Sequence, residues 1–308
     1  MIKHVLSTAA FAFLAVQGHA EAAQTILFIG NSFTYAAHSA AKHYHPETVH
    51  DLNPPDRAGE TIGGVPALFK AFTREAGLDY DVSLETVGGK GLDYHMAQKR
   101  ALLDKPWDFV VGQSYSDLDQ EHPGDPALLV SATKEMDEML VSQNPAVKFY
   151  LLASWSRADM TYLEGKPWFG KPIQQMGEDL EAAYELAASG APHVAGIIPV
   201  GLAWNNAIET GIADDNPYDD LGASKMNLWA YDNYHASSYG YYLEALLDFG
   251  KVTGLDPMSL ATIDTVAEDL GISRAQAHAL QKIAHDALAA QATVSSAGKI
   301  SAKAEPVR

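Results

Sequence analysis

The chain reads as an α/β protein, a three-layer α/β/α sandwich built on a parallel sheet of about five strands. Three observations predict this. Short apolar runs alternate with longer helical patterns from Thr25 to Val252. The first run, Thr25–Ile29 (TILFI), is apolar without interruption, as a strand covered on both faces should be. Hydrophobic residues make up 47% of 308 residues, enough for one sizeable core. After the first run, Val82–Val87, Phe109–Val111, Val147–Ala153 and Val194–Val200 are the further strand candidates. Helical spacing falls at 34–44, 64–76, 92–103, 127–143 and 174–189, and again over Tyr239–Val252 behind Ser238. Strands joined through helices pair in parallel, and such sheets carry their sites at the carboxyl ends of the strands.

The two ends of the chain read differently. Residues 1–20 have the pattern of a signal peptide: Lys3, an apolar stretch from Val5 to Val16, and the small-x-small exit Gly18-His19-Ala20. The apolar stretch is shorter than the ~20 residues that span a bilayer. The main domain is expected over 21–256, followed by a helical extension over 257–291. There Ser273-Arg274-Ala275-Gln276 is a capping-box pattern for a helix running to about Ala290. Residues 292–308 are small and polar and read as a frayed tail. The chain contains no cysteine, which removes disulfides, thiolate metal sites and cysteine nucleophiles together. With the export signal, this suits a periplasmic or secreted protein. The formal charge of −18 disfavours nucleic-acid and anionic-membrane partners through long-range repulsion.

Chemistry concentrates in two places. Ile29-Gly30-Asn31-Ser32-Phe33 puts Ser32 where the chain leaves the first strand for an expected helix. Its hydroxyl would stand at the open edge of the sheet, with its backbone N–H in a helix's first turn. By itself, G-x-S is more often an ordinary N-cap serine. The second place is Tyr231-Asp232-Asn233-Tyr234-His235. A serine hydroxyl needs a base; histidine has the suitable pKa, and a carboxylate fixes its tautomer. Asp232 and His235, three residues apart on one loop, can lean into the same cleft.

Taken together, G-N-S after the first strand and D-x-x-H before the last sheet-packing helix resemble the SGNH (GDSL-like) hydrolases over about residues 24–254. Val194–Trp204 and Gly240–Leu247 are similar to an uncharacterised branch of that family. The resemblance implies Ser32 as nucleophile with Asp232 and His235 as its relay. It also implies an oxyanion hole made of the Ser32 N–H, a glycine N–H after the second strand, and an amide side chain after the third. The glycine is Gly89 or Gly91, with Gly91 closer to the usual spacing. Two departures stand out. Asn31 occupies the usual aspartate position, and the third strand leads into Gly112-Gln113-Ser114 with no asparagine, leaving Gln113 as the candidate amide donor.

Other signals carry less. Ser114 is a rival nucleophile, as in a strand-to-helix elbow, but the motif's closing glycine is missing. His38, His43 and His45 lack a matching carboxylate spacing for a metal, and Asp214, Asp215, Asp219 and Asp220 lack calcium-loop spacing. Asp269–Gln276 imitates a helix-turn-helix, better read as two helices packing on the main domain. Trp155, Trp168 and Trp204 line either a cleft or the core. The expectation is a flavodoxin-like sandwich carrying an exported serine esterase that acts through an acyl-enzyme. Its substrate would be a small acyl ester of a sugar or glycan, with no cofactor and no metal. The alternatives are a glycan O-acyltransferase and a catalytically weak envelope-binding protein on the same fold.

Overall fold

The computed structural model describes residues 23–53, 59–262 and 264–302. The expected signal peptide and the end of the expected tail, 303–308, lie outside them. In chain order the elements are β1 (Gln24–Gly30), β2 (His50–Asp51), α1 (Gly64–Glu75), β3 (Tyr80–Thr86), α2 (Leu92–Gln98) and α3 (Arg100–Leu103). Then come β4 (Phe109–Gly112), α4 (Ala127–Gln143), β5 (Lys148–Ala153), α5 (Ala158–Tyr162), α6 (Gln174–Ser189), β6 (Val194–Pro199) and α7 (Val200–Glu209). The chain closes with α8 (Ser238–Thr253), α9 (Thr265–Asp269) and α10 (Arg274–Ala302).

The six strands form one parallel sheet in the order β2-β3-β1-β4-β5-β6. Leaving aside two-residue β2 at the edge, this is the flavodoxin-like order, with five principal strands. Successive β1 residues point to opposite faces. Ile26 and Phe28 enter a core with Leu68, Phe69 and Phe72 of α1 and Leu243, Leu246 and Leu247 of α8. Leu27 and Ile29 enter a second core with Leu92 and Met96 of α2, Met136 of α4 and Leu180 of α6. This two-sided burial explains the uninterrupted apolar run.

The order of strands reverses at β1, whose neighbours are β3 and β4. Gly30 pairs with Thr86 and Ile29 with Gly112. The segments that follow, 31–34, 87–91 and 113–117, therefore leave the sheet side by side at its carboxyl edge, the crevice where open α/β sheets bind ligands.

The expected helix over 34–44 does not form. Ala36 and His38 take left-handed φ values of 57° and 63°, and only a short 3-10 turn appears, at Ala40–His43. The Thr34 carbonyl accepts Val65 N–H (3.1 Å) in place of an N–H one helical turn on, because the Gly63–Gly64 segment packs against it. Ser32 thus stands in a tight turn, and helix-dipole help for its N–H is lost.

Ser273 N–H meets Gln276 Oε1 (3.0 Å) and Gln276 N–H meets Ser273 Oγ (3.4 Å), the reciprocal capping box. Helix α10 then runs past Ala290 to Ala302. Leu280, Ile283 and Ala284 of α10 and Val266 of α9 belong to the same apolar core as β1 and α8.

Helix α8 buries two carboxyls, Glu244 and Asp248, completely. Their oxygens find no hydrogen-bond partner among the described residues. Burial holds both pKa values well above the ordinary carboxyl range, with Asp248 adding to the rise at Glu244. A carboxyl with a raised folded pKa stabilises fully below the unfolded value of roughly 4, and that contribution is lost as pH rises through the folded value. The Glu244→Gln/Asp248→Asn double variant should therefore flatten the fall of the thermal midpoint between pH 5 and pH 9. A slope equal to the parent's in calorimetry would contradict this.

Candidate active site

Ser32 Oγ lies 2.9 Å from His235 Nε2, and His235 Nδ1 lies 2.6 Å from Asp232 Oδ2. Asp232 Oδ1 accepts the backbone N–H groups of Tyr234 (3.2 Å) and His235 (3.0 Å), which folds the loop around its own carboxylate. Asn233, at φ 56°, makes the sharp bend, a conformation asparagine tolerates better than most residues. An antiparallel bridge between Trp229 and Ala236 closes the loop, with Ala230 N–H on His235 O (2.7 Å) and Ser237 N–H on Leu228 O (2.7 Å). Beneath it, Trp155 stacks between Phe33 (4.1 Å) and Trp204 (4.8 Å) and donates its indole N–H to Tyr234 O. Trp155, Trp168 and Trp204 are all buried, so packing is their role.

Ser32 and His235 are only 8% and 6% exposed. Burial lowers the His235 pKa, outweighing the opposing pull of Asp232, and the charges of His38 and Arg157 act in the same direction as burial. The imidazole is thus kept neutral and able to accept a proton. Burial works against the Asp232 charge, but the His235 ring and the loop N–H groups outweigh it and hold the carboxyl below its usual range.

Asn31 shows why an amide replaces the aspartate. Its Nδ2 donates to Lys90 O (2.9 Å) and Ser114 O (3.0 Å), and its Oδ1 accepts Phe33 N–H (3.1 Å). One side chain ties together the segments that follow β1, β3 and β4. A carboxylate could donate to neither carbonyl.

Gln113 reaches the same junction but is committed there. Its Oε1 accepts Asn31 N–H (3.3 Å) and Thr34 Oγ1–H (3.4 Å), its Nε2 donates to Ser114 O, and the residue is 1% exposed. The Asn31 N–H fixes this orientation, since it requires an acceptor. Gln113 therefore braces the turn that carries Ser32 instead of presenting a free amide donor. Gly91 opens α2 beside the Tyr115 ring. A side chain at position 91 would come within 2.4 Å of the Tyr115 ring, so the glycine serves close packing. Among the described residues, the N–H groups of Ser32, Gly89 and Gly91 make no hydrogen bond to an acceptor.

Ser114 is 1% exposed and bonds away from the histidine: its Oγ accepts Leu92 N–H (3.3 Å) at the start of α2. Two neighbours of the site were not placed there by the sequence: Arg157 was not singled out, and His38 was weighed only as a metal ligand. Arg157, after β5, grips Asp159 through two hydrogen bonds (3.0 and 2.7 Å) and lies 3.8 Å over the Tyr234 ring beside His235. His38 places Nε2 3.7 Å from Asp232 Oδ2 and its ring 4.7 Å from that of His235. His38, Asp232 and His235 are the grouping of metal-binding types found among the described residues, their donor atoms within 4.8 Å of one another. These donors face each other, and of them His235 faces Ser32. His43 and His45 instead pair with Glu60 and Glu47 at the surface. Lys225 bridges Asp214 (3.5 Å) and Asp215 (3.1 Å).

No protein-family model matches the chain, and no curated protein matches it in sequence. Solved structures do match in fold. A DUF4886 family protein from Bacteroides uniformis has a TM-score of 0.57 at 19% identity, over 86% of this chain and 95% of its own. A candidate GDSL-like lipase from Parabacteroides merdae has a TM-score of 0.50 at 15% identity, over 75% of this chain and 95% of its own. The fold is thus the one expected from the resemblance to SGNH (GDSL-like) hydrolases.

Proposed function

We propose that the chain is an exported serine esterase that acts through an acyl-enzyme. The observation that carries this reading is the continuous array Ser32 Oγ, His235 Nε2, His235 Nδ1 and Asp232 Oδ2, spaced 2.9 and 2.6 Å, at the carboxyl edge of β1. In the reaction, Ser32 Oγ attacks the ester carbonyl as its proton passes to His235 Nε2. Asp232 stabilises the resulting imidazolium. Collapse of the tetrahedral intermediate breaks the bond to the alcohol, which leaves with the proton from Nε2. Water then repeats the sequence on the acyl-serine and releases the acid. Ser32 N–H and the N–H of Gly91 or Gly89 are the backbone donors we assign to the oxyanion. Gln113 and Asn31 hold the turn that presents them.

For substrate, we propose a small acyl ester of a sugar or glycan. The resemblance and the export signal support it, together with the ring of Tyr231, 79% exposed beside His38 and suited to packing against a sugar face. A fluorophosphonate probe should label the full-length protein, with the adduct found by mass spectrometry on the peptide containing Ser32. Lack of labelling of folded protein would refute the reading.

Export has its own test. No helix among the described residues is long and apolar enough to cross a membrane. Protein recovered from its native host should begin after Ala20, and an intact Met1 terminus would contradict the signal.

A further inference from the structure

We infer that His38 is a positioning residue of the relay, holding Asp232 and thereby tuning His235, with Tyr231 fixing its tautomer. The inference rests on the triad reading above. Asp232 Oδ2 faces two imidazoles, His235 Nδ1 at 2.6 Å and His38 Nε2 at 3.7 Å. The other nitrogen of His38, Nδ1, lies 2.6 Å from the Tyr231 hydroxyl. If that hydroxyl donates, Nδ1 is an acceptor and the His38 proton sits on Nε2, toward the carboxylate. His38 Nε2–H then faces the carboxylate across 3.7 Å, an electrostatic contact longer than a hydrogen bond, beside the hydrogen-bonded run from Asp232 through His235 to Ser32.

The backbone supports a purpose for this placement. His38 and Ala36 both hold left-handed φ values, which non-glycine residues adopt at a cost. The turn is over-determined by its neighbours: Tyr241 Oη donates to Ala37 O (3.2 Å), and Ala37 N–H binds Ser32 O (2.9 Å). The same turn therefore fixes Ser32 at one end and His38 at the other. His38 is 41% exposed, so nothing in the core requires it there.

Sharing Asp232 Oδ2 has a definite consequence. The groups that face His235 are Asp232, His38 and Arg157, with Phe33 and Tyr234 as ring neighbours. His38 Nε2–H draws on the carboxylate that would otherwise raise the His235 pKa, and whenever His38 itself is protonated its charge lowers that pKa further. Removing His38 should raise it. His235 would then stay protonated to a higher pH, and activity would be lost selectively on the acidic side.

The test pairs a titration that needs no activity with kinetics. The ring protons of His235 are followed by NMR against pH in the parent, His38→Ala, His38→Gln and Tyr231→Phe, and hydrolysis of a short acyl ester is measured alongside. The expected result is a higher His235 midpoint in both His38 variants and a smaller rise in Tyr231→Phe. At pH 6, kcat/KM should fall by about three- to tenfold, since each unit of pKa is worth about tenfold there, with near-parent rates at pH 8.5 and KM unchanged. An unmoved midpoint in the His38 variants overturns the inference. So does a raised KM with the acidic limb in place, which would make His38 a substrate contact. If the midpoint moves while neither parent nor variant hydrolyses esters, the esterase reading fails and the role of His38 stands. His38→Gln keeps a polar side chain of similar reach, so misfolding of His38→Ala would not decide the matter.

Discussion

Ser32→Ala should abolish ester hydrolysis, with kcat falling on the order of 10⁴-fold or more and the fold intact. The hydroxyl is the atom that faces His235 Nε2, and no neighbouring hydroxyl can replace it. Ser114→Ala is the decisive companion. Ser114 Oγ only satisfies Leu92 N–H, so its loss should cost stability of about 1 kcal/mol and leave kcat near that of the parent. Hydrolysis of p-nitrophenyl acetate by the two purified variants settles the assignment. Activity in Ser32→Ala and none in Ser114→Ala would move the nucleophile to β4.

Asp232→Asn is the second large effect, a loss in kcat of about 10³- to 10⁴-fold. An amide can still accept the Tyr234 and His235 N–H groups, so the loop should survive. It cannot stabilise the imidazolium, and turning its NH₂ toward His235 Nδ1 would favour the wrong tautomer. The pH profile of the parent completes the prediction. The rate should rise with pH as His235 loses its proton, because only the neutral ring accepts one from Ser32. Burial lowers that pKa, so the midpoint should fall below the ordinary histidine value of roughly 6.5 and activity should already be level above neutrality. A midpoint above that value, or a profile flat from pH 5 to 8, would contradict the role given to His235.

The central strand was legible because it is a short apolar run whose residues are buried on both faces, Ile26–Ile29, and the strands around it alternate with helical patterns. Helix α7 was hidden: it begins directly after Pro199, inside what reads as one apolar run from Val194. The segment 34–44 misled because its spacing is helical, while two left-handed residues and the packing of Gly63–Gly64 decide its path. Ser32, Asp232 and His235 were readable as motifs, and the structure brings them together. The supporting polar contacts were not readable. Asn31, Gln113 and Gly91 are set by which loop faces which, and the register of β1 between β3 and β4 fixes that only in three dimensions. His38 was visible as a histidine, but nothing local marks it as a neighbour of a residue almost two hundred positions away.

The distance along the chain between Ser32 and His235 is 203 residues, and β1, α8 and α10 share one core. On the esterase reading, the hydroxyl stays inert until the chain has been made past His235 and has closed on itself. A chain released in pieces, or held extended while it crosses a membrane, carries a serine no more reactive than any other. If the esterase and export readings hold, catalytic competence would arrive only with the closing of the fold, the chain would first acquire its reactivity at its destination, and hydrolysis would measure refolding without any added probe.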